Sequence, residues 1–158
     1  MTPEERARRA AEAMWSGDEA SRWFGMTLDE IGPGRAVMSL TVAPHHLNGH
    51  GICHGGVIFA LADSAFAFAC NSSNRNTVAQ HCLVSYLAPG RPGERLTATA
   101  REITRQGRSG IFDVEVRGEG GRLVATFRGF SREIPGTHFD EDEGENGGAE
   151  TPPGAPER

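Results

Sequence analysis

A single carboxylate stands inside the most apolar stretch of the chain. "NGHGICHGGVIFALADSAFAFACNS", Asn48 to Ser72, carries Asp63 with Phe59, Ala60, Phe66 and Ala67 one turn to either side. Aspartate is a poor residue for a helix interior, and an ionised carboxylate withdrawn from water is costly unless partnered. No arginine lies between Cys53 and Asn74 to pair with it. A desolvated carboxylate in a cleft is a candidate general base or nucleophile. The bland alternative is a thin exposed edge, or an arginine supplied by a neighbouring strand.

The same stretch opens with "HGG", where two glycines leave the backbone N–H groups of a helix start unobstructed. A helix N-terminus attracts negative charge. The Gly56 N–H would polarise a carbonyl oxygen that becomes negative during acyl transfer, as in an oxyanion hole. Gly56 and Asp63 are seven residues apart on one helix face, which separates them by roughly 10 Å, so one carbonyl cannot meet both. If both serve one substrate they come from different subunits facing across a two-fold axis. The spacing therefore predicts an obligate dimer with two equivalent interface sites.

Other chemistries fit less well. His45, His46, His50, Cys53 and His54 are concentrated in one loop, but without the paired spacings of structural zinc sites, so no metal is expected. Cys53 and His54 are adjacent, and neighbours on an extended chain point to opposite sides, which argues against a thiol–imidazole pair. There is no G-x-S-x-G elbow. All 16 basic residues are arginines, and the absence of lysine removes Schiff-base and pyridoxal phosphate chemistry and the phosphate-loop lysine. No cofactor is called for.

The tail from Gly136 to Arg158 carries seven acidic residues and one arginine, leaving a body of about +1 within the overall −5. A near-neutral body with scattered arginines offers nucleic acid no basic stripe. No apolar run reaches membrane-spanning length, and "MTPEERARRA" reads as a charged helix start rather than a signal peptide. Three cysteines, an odd number, suit reduced thiols. These features predict a cytoplasmic protein.

The elements that must hold the chemistry follow from capping and periodicity. Thr2, Pro3 and Glu5 form an N-cap, first-turn proline and capping box, and Ala7, Ala10, Ala11, Met14 and Trp15 then make one apolar stripe. Asp18 caps a short second turn ended by Gly25. Alternating strands are predicted at Arg35–Val42, Thr77–Leu87, Arg95–Thr104 with Ser109–Arg117 as a hairpin, and Leu123–Glu133. The helix at 56–71 is apolar on nearly every side, which implies burial all round by a sheet that curls about it. The expected domain covers 1–135, and 136–158, rich in Gly, Pro and Glu, is expected to be a disordered tail.

With these segments in view, "NGHGICHGGVIFALAD…ACNS", "YLAPGRPGERLTATA" and "GIFDVEVRGEGGRLVATFRG" resemble the hotdog-fold acyl-CoA thioesterases of bacterial phenylacetate degradation, from about Trp23 to Ile134. The resemblance implies an α+β hotdog, with a long central helix wrapped by a curved antiparallel sheet, assembled as double-hotdog dimers that usually pair into tetramers. It implies hydrolysis of phenylacetyl- or hydroxyphenylacetyl-type CoA thioesters. Asp63 then matches the catalytic carboxylate, Gly56 the backbone donor from the other subunit, and Asn48 and His54 the polar loop residues that orient them. Arg105 and Arg108 match basic residues near the CoA phosphates, and Thr77 is the hydroxyl available on the strand after the helix. Nucleophile and general base both remain open for Asp63. A hotdog dehydratase or hydratase using His54, or a non-catalytic acyl-CoA-binding module, are the alternative functions.

Overall fold

The structure, a computed structural model, describes residues 1–142. The capping box at Thr2 and Glu5 opens α1 (Pro3–Gly17), which buries Ala7, Ala10 and Ala11. Asp18 caps α2 (Glu19–Trp23) by accepting the Ser21 N–H, and Gly25 follows with φ 79°, a left-handed conformation that glycine adopts without a Cβ penalty.

A strand pair comes next, β1 (Thr27–Gly32) and β2 (Arg35–Thr41), then the central helix α3 (Gly55–Cys70), then β3 (Arg75–Tyr86), β4 (Arg95–Gln106), β5 (Ser109–Arg117) and β6 (Leu123–Thr137). All pairings are antiparallel, in the order β1-β2-β4-β5-β6-β3. Local hairpins build the middle of the sheet, while β3, which follows α3 in the chain, pairs with β6 and forms the far edge. This is the α+β hotdog, with α3 laid across the inner faces of β2, β4 and β5.

The core is where α3 meets the sheet. Leu61, Phe66 and Phe68 from the helix are buried with Met38, Leu96, Phe112 and Val114 from the strands. Phe66 comes close to the sheet because position 129 is glycine: a Cβ there would stand 2.7 Å from the Phe66 ring.

Two expectations need correcting. The first is burial of α3 all round. Val57, Ile58, Leu61, Ala62, Ala65, Phe66, Phe68, Ala69 and Cys70 are buried, whereas Phe59, Ala60, Asp63, Ser64 and Ala67 form a stripe that is only half-buried. A single sheet covers one side of a cylinder, and it meets this stripe only at its margin, where Phe59 packs edge-on against Phe127.

The second is the tail boundary. Strand β6 continues to Thr137, opposite Arg75, and residues 138–142 are latched to the body. Asn74 accepts the N–H groups of His138 and Phe139 and donates to the Phe139 carbonyl. Arg6 makes a two-pronged contact with Glu141 at 2.8 and 3.1 Å, and Arg9 lies over the Phe139 ring. These are polar and cation–π anchors, which a tally of apolar residues cannot register. The rest of the expected tail, 143–158, lies outside the described residues.

Candidate active site

The loop before α3 is built on itself. Leu47 bridges to Cys53, and Asn48 Oδ1 accepts the N–H groups of His50 and Ile52 at 2.9 and 3.4 Å. Those two donors fix the orientation of the amide, and the residue lines a surface cleft. The cleft, of about 390 Å³, is lined by Asn48, Ile52, Gly55, Ile58, Tyr86 and Pro89 among others. Its far wall is held by Arg122, which grips buried Glu94 at 2.7 and 3.0 Å and donates to the Pro89 carbonyl at 2.8 Å. The Arg122 hydrogen bonds, first among the causes, hold the Glu94 carboxyl below its ordinary range.

His54 is the N-cap of α3. Its Nδ1 accepts the Gly56 N–H at 2.8 Å, so the amide expected to face a substrate carbonyl is occupied by the chain's own imidazole. The Gly55 N–H, one residue earlier, has no acceptor among the described residues. "HGG" announced an open helix start, but only the cap geometry shows which of its amides is open. The Tyr86 hydroxyl, not foreseen from the sequence, donates to the Gly55 carbonyl at 2.9 Å.

Asp63 lies two turns further along the half-buried stripe. Among the described residues it has neither a side-chain hydrogen bond nor an ion pair, and burial pushes its carboxyl above the ordinary range. Beside it, Ser64 Oγ is 3.0 Å from Ser21 Oγ, which spends its own proton on Asp18 Oδ2 at 2.7 Å. Ser64 is therefore the donor in that pair, and α2 is tied to the central helix next to the carboxylate. Nothing in the sequence links Ser21 to Ser64, which only the packing brings together.

The remaining expected residues gather at the opposite end of α3. Thr77 is bound through its backbone to the C-cap residue Asn71, in both directions, and its hydroxyl donates to the Arg75 carbonyl. That hydroxyl can still accept a hydrogen bond but has no proton left to donate. Arg105 contacts Glu102 at 3.3 Å and Ser73 Oγ at 3.4 Å. Arg108 sits exposed in the β4–β5 turn. Within one chain, then, Asn48, His54 and the glycine amides form one group, Thr77, Arg105 and Arg108 surround the other end, and Asp63 lies between them.

The thiols are poor nucleophiles. Burial raises Cys53 to about 11 and Cys70 to about 12, so both are protonated near neutrality. His46 is spent on structure: buried, it accepts the Ala43 N–H at 3.0 Å, and burial is the main cause that lowers its pKa. Among the described residues no three His, Cys, Asp or Glu side chains converge on a common point.

With this geometry established, comparison with known proteins decides the family. Residues 50–125 match the thioesterase superfamily, and the acyl-coenzyme A thioesterase PaaI of Escherichia coli is 42% identical over 133 residues, 84% of this chain and 94% of that protein. The chain belongs to the thioesterase superfamily. The solved structure of E. coli PaaI, a protein of the phenylacetic acid degradation operon, superposes with a TM-score of 0.84 at 40% identity, covering 86% of this chain and 99% of that one. A protein from Thermus thermophilus gives a TM-score of 0.72 at 39% identity, over 74% of this chain and 98% of that one. As a member of the thioesterase superfamily the chain is a thioester hydrolase, and among its described residues no helix is long and apolar enough to cross a membrane.

Proposed function

We propose that this thioesterase hydrolyses acyl-CoA thioesters of the phenylacetyl or hydroxyphenylacetyl type, with the Asp63 carboxylate of one subunit acting on a carbonyl held at the α3 N-terminus of the other. The observation that carries the reading is Asp63 itself: a desolvated carboxylate without a partner among the described residues, on the one stripe of α3 that its own sheet covers only in part. The similarity to PaaI supports the acyl-CoA substrate and the aryl preference.

Two further features support the shared site. Edge strand β3 exposes Val78, Leu83 and Tyr86, with Leu87 just after it, an apolar edge of the kind that pairs with another chain. A second copy paired along β3 would bring the half-buried stripe of each α3 against its partner and satisfy both faces. The roughly 10 Å between Asp63 and the helix start then becomes the separation between two sites rather than a defect in one.

In the proposed reaction the thioester carbonyl oxygen accepts the open Gly55 N–H. It gains the Gly56 N–H once the His54 ring turns aside, and Asn48 Nδ2 flanks it. Asp63 either attacks the carbonyl carbon, giving a mixed anhydride that a water then hydrolyses, or takes a proton from a water that attacks the carbon directly. In either course the C–S bond breaks, the thiolate leaves with a proton that the water supplies, and the water's oxygen ends in the free acid. Thr77, Arg105 and Arg108 are assigned to the CoA end of the site. Two such dimers pairing into a tetramer, in the cytoplasm, complete the proposed assembly.

The test is thiol release from phenylacetyl-, hydroxyphenylacetyl- and aliphatic acyl-CoA by wild type and Asp63→Asn. Rapid release of the aryl acids that collapses in the variant is the expected result. Saturable binding without thiol release from any thioester would overturn it in favour of a dehydratase or a binding module.

A further inference from the structure

We propose that Tyr86 is a positioning residue for the Gly56 amide at the start of α3, and that its hydroxyl tunes the donor that joins the oxyanion contact once His54 turns aside. This inference rests on the thioesterase reading above.

The Gly55 carbonyl and the Gly56 N–H belong to the same amide plane, and Tyr86 Oη donates to that carbonyl at 2.9 Å. A hydrogen bond to the oxygen of an amide polarises the whole group and makes its N–H a better donor. It also fixes the tilt of that plane, and with it the direction in which the Gly56 N–H points. The ring reinforces this: a Cβ at position 55 would stand 3.2 Å from Tyr86 Cζ, so the tyrosine covers the glycine closely.

Tyr86 is well placed for such a role. It closes β3 at the rim of the cleft shared by Asn48, Ile52 and Gly55, and it reaches across from a different element to a helix start that is otherwise capped only from within its own loop. Because its hydrogen bond is made to the peptide, the polarisation it supplies is the same for every thioester the enzyme accepts.

The chain holds a single tyrosine, so donor strength at this one hydroxyl can be graded in the intact protein. Tyr86→Phe keeps the ring and removes the donor; biosynthetic replacement of tyrosine by 3-fluorotyrosine keeps both and makes the hydroxyl a stronger donor. At pH 7 the expected result is a kcat lowered by about three- to tenfold in Tyr86→Phe, the loss of one neutral hydrogen bond, with KM unchanged for aryl and aliphatic thioesters alike. The fluorinated protein is expected to exceed wild type. A role in folding alone would lower the melting temperature and leave kcat untouched.

Wild-type kcat in Tyr86→Phe, or a rise in KM alone, overturns the role of Tyr86 while leaving the thioesterase reading intact. A wild-type protein that releases no thiol overturns the reading itself and this role with it. Should Tyr86→Phe fail to fold, the fluorinated protein decides: a kcat no different from that of the unlabelled protein overturns the proposal.

Discussion

His54 Nδ1 accepts the Gly56 N–H at 2.8 Å, so the residue that precedes the glycine pair caps the very helix whose open end the site requires. An N-cap acceptor satisfies one of the orphan donors of the first turn, and losing it typically costs about 1 kcal/mol. His54→Ala is expected to lower stability by that amount, and His54→Ser, which restores a cap acceptor, to recover most of it. Chemical denaturation of the three proteins measures both.

Asp63 carries the clearest pH dependence. Burial raises its pKa in the folded state above the ordinary carboxyl value, so the folded protein favours the protonated form. The associated stability is present at acid pH, below the unfolded pKa, and is lost as pH rises through the raised value. Asp63→Asn has no such term, so relative to the variant the wild type is expected to lose stability as pH climbs from the ordinary carboxylate range to neutrality. Activity runs the opposite way, because the reaction uses the ionised form: kcat/KM falls on acidification, with a midpoint above the ordinary carboxylate range. Turnover in Asp63→Asn is expected to drop by about two to four decades at neutral pH.

Complementation tests the shared site. Gly55→Pro removes the open N–H at the first helical position, where proline is well accommodated, although its Cβ presses on the Tyr86 ring. Asp63→Asn and Gly55→Pro are each expected to be inactive. Mixed under subunit exchange, a heterodimer regains one site with both intact groups, so statistical mixing should restore about a quarter of wild-type activity. No recovery, with exchange verified by native mass spectrometry, would place both groups in a single subunit.

The C-terminal latch has its own signature. Hydrogen bonds from Arg6, then Asn74, hold the Glu141 carboxyl down to about 2. A depressed carboxyl contributes stability above its unfolded pKa and loses it as pH falls toward the folded value. Wild type is expected to exceed Glu141→Gln in melting temperature at neutral pH, with the gap closing between the ordinary carboxylate range and about pH 2. The pair is partly exposed, so added salt should narrow the gap as well.

The sequence by itself carried the caps, the strand alternation and the anomaly of Asp63. These are local matters: a capping box needs residues three apart, a strand declares itself by period two, and a carboxylate among phenylalanines is out of place wherever the helix lies. The spacing of Gly56 and Asp63 even argued for two subunits, since helical rise is fixed by the backbone.

Tertiary structure decided the rest, because the remaining features depend on contacts between residues far apart in the chain. The choice between the Gly55 and Gly56 amides turned on where one imidazole points. Tyr86 met Gly55 only because β3 returns past the start of α3. Ser64 joined the Asp18–Ser21 cap only when α2 packed on the central helix. Residues 138–142 were latched by Asn74 and two arginines from α1, although their composition promised no order. Periodicity and composition report what a segment can bury on average; which polar atoms meet is settled by the packing that brings distant segments into register.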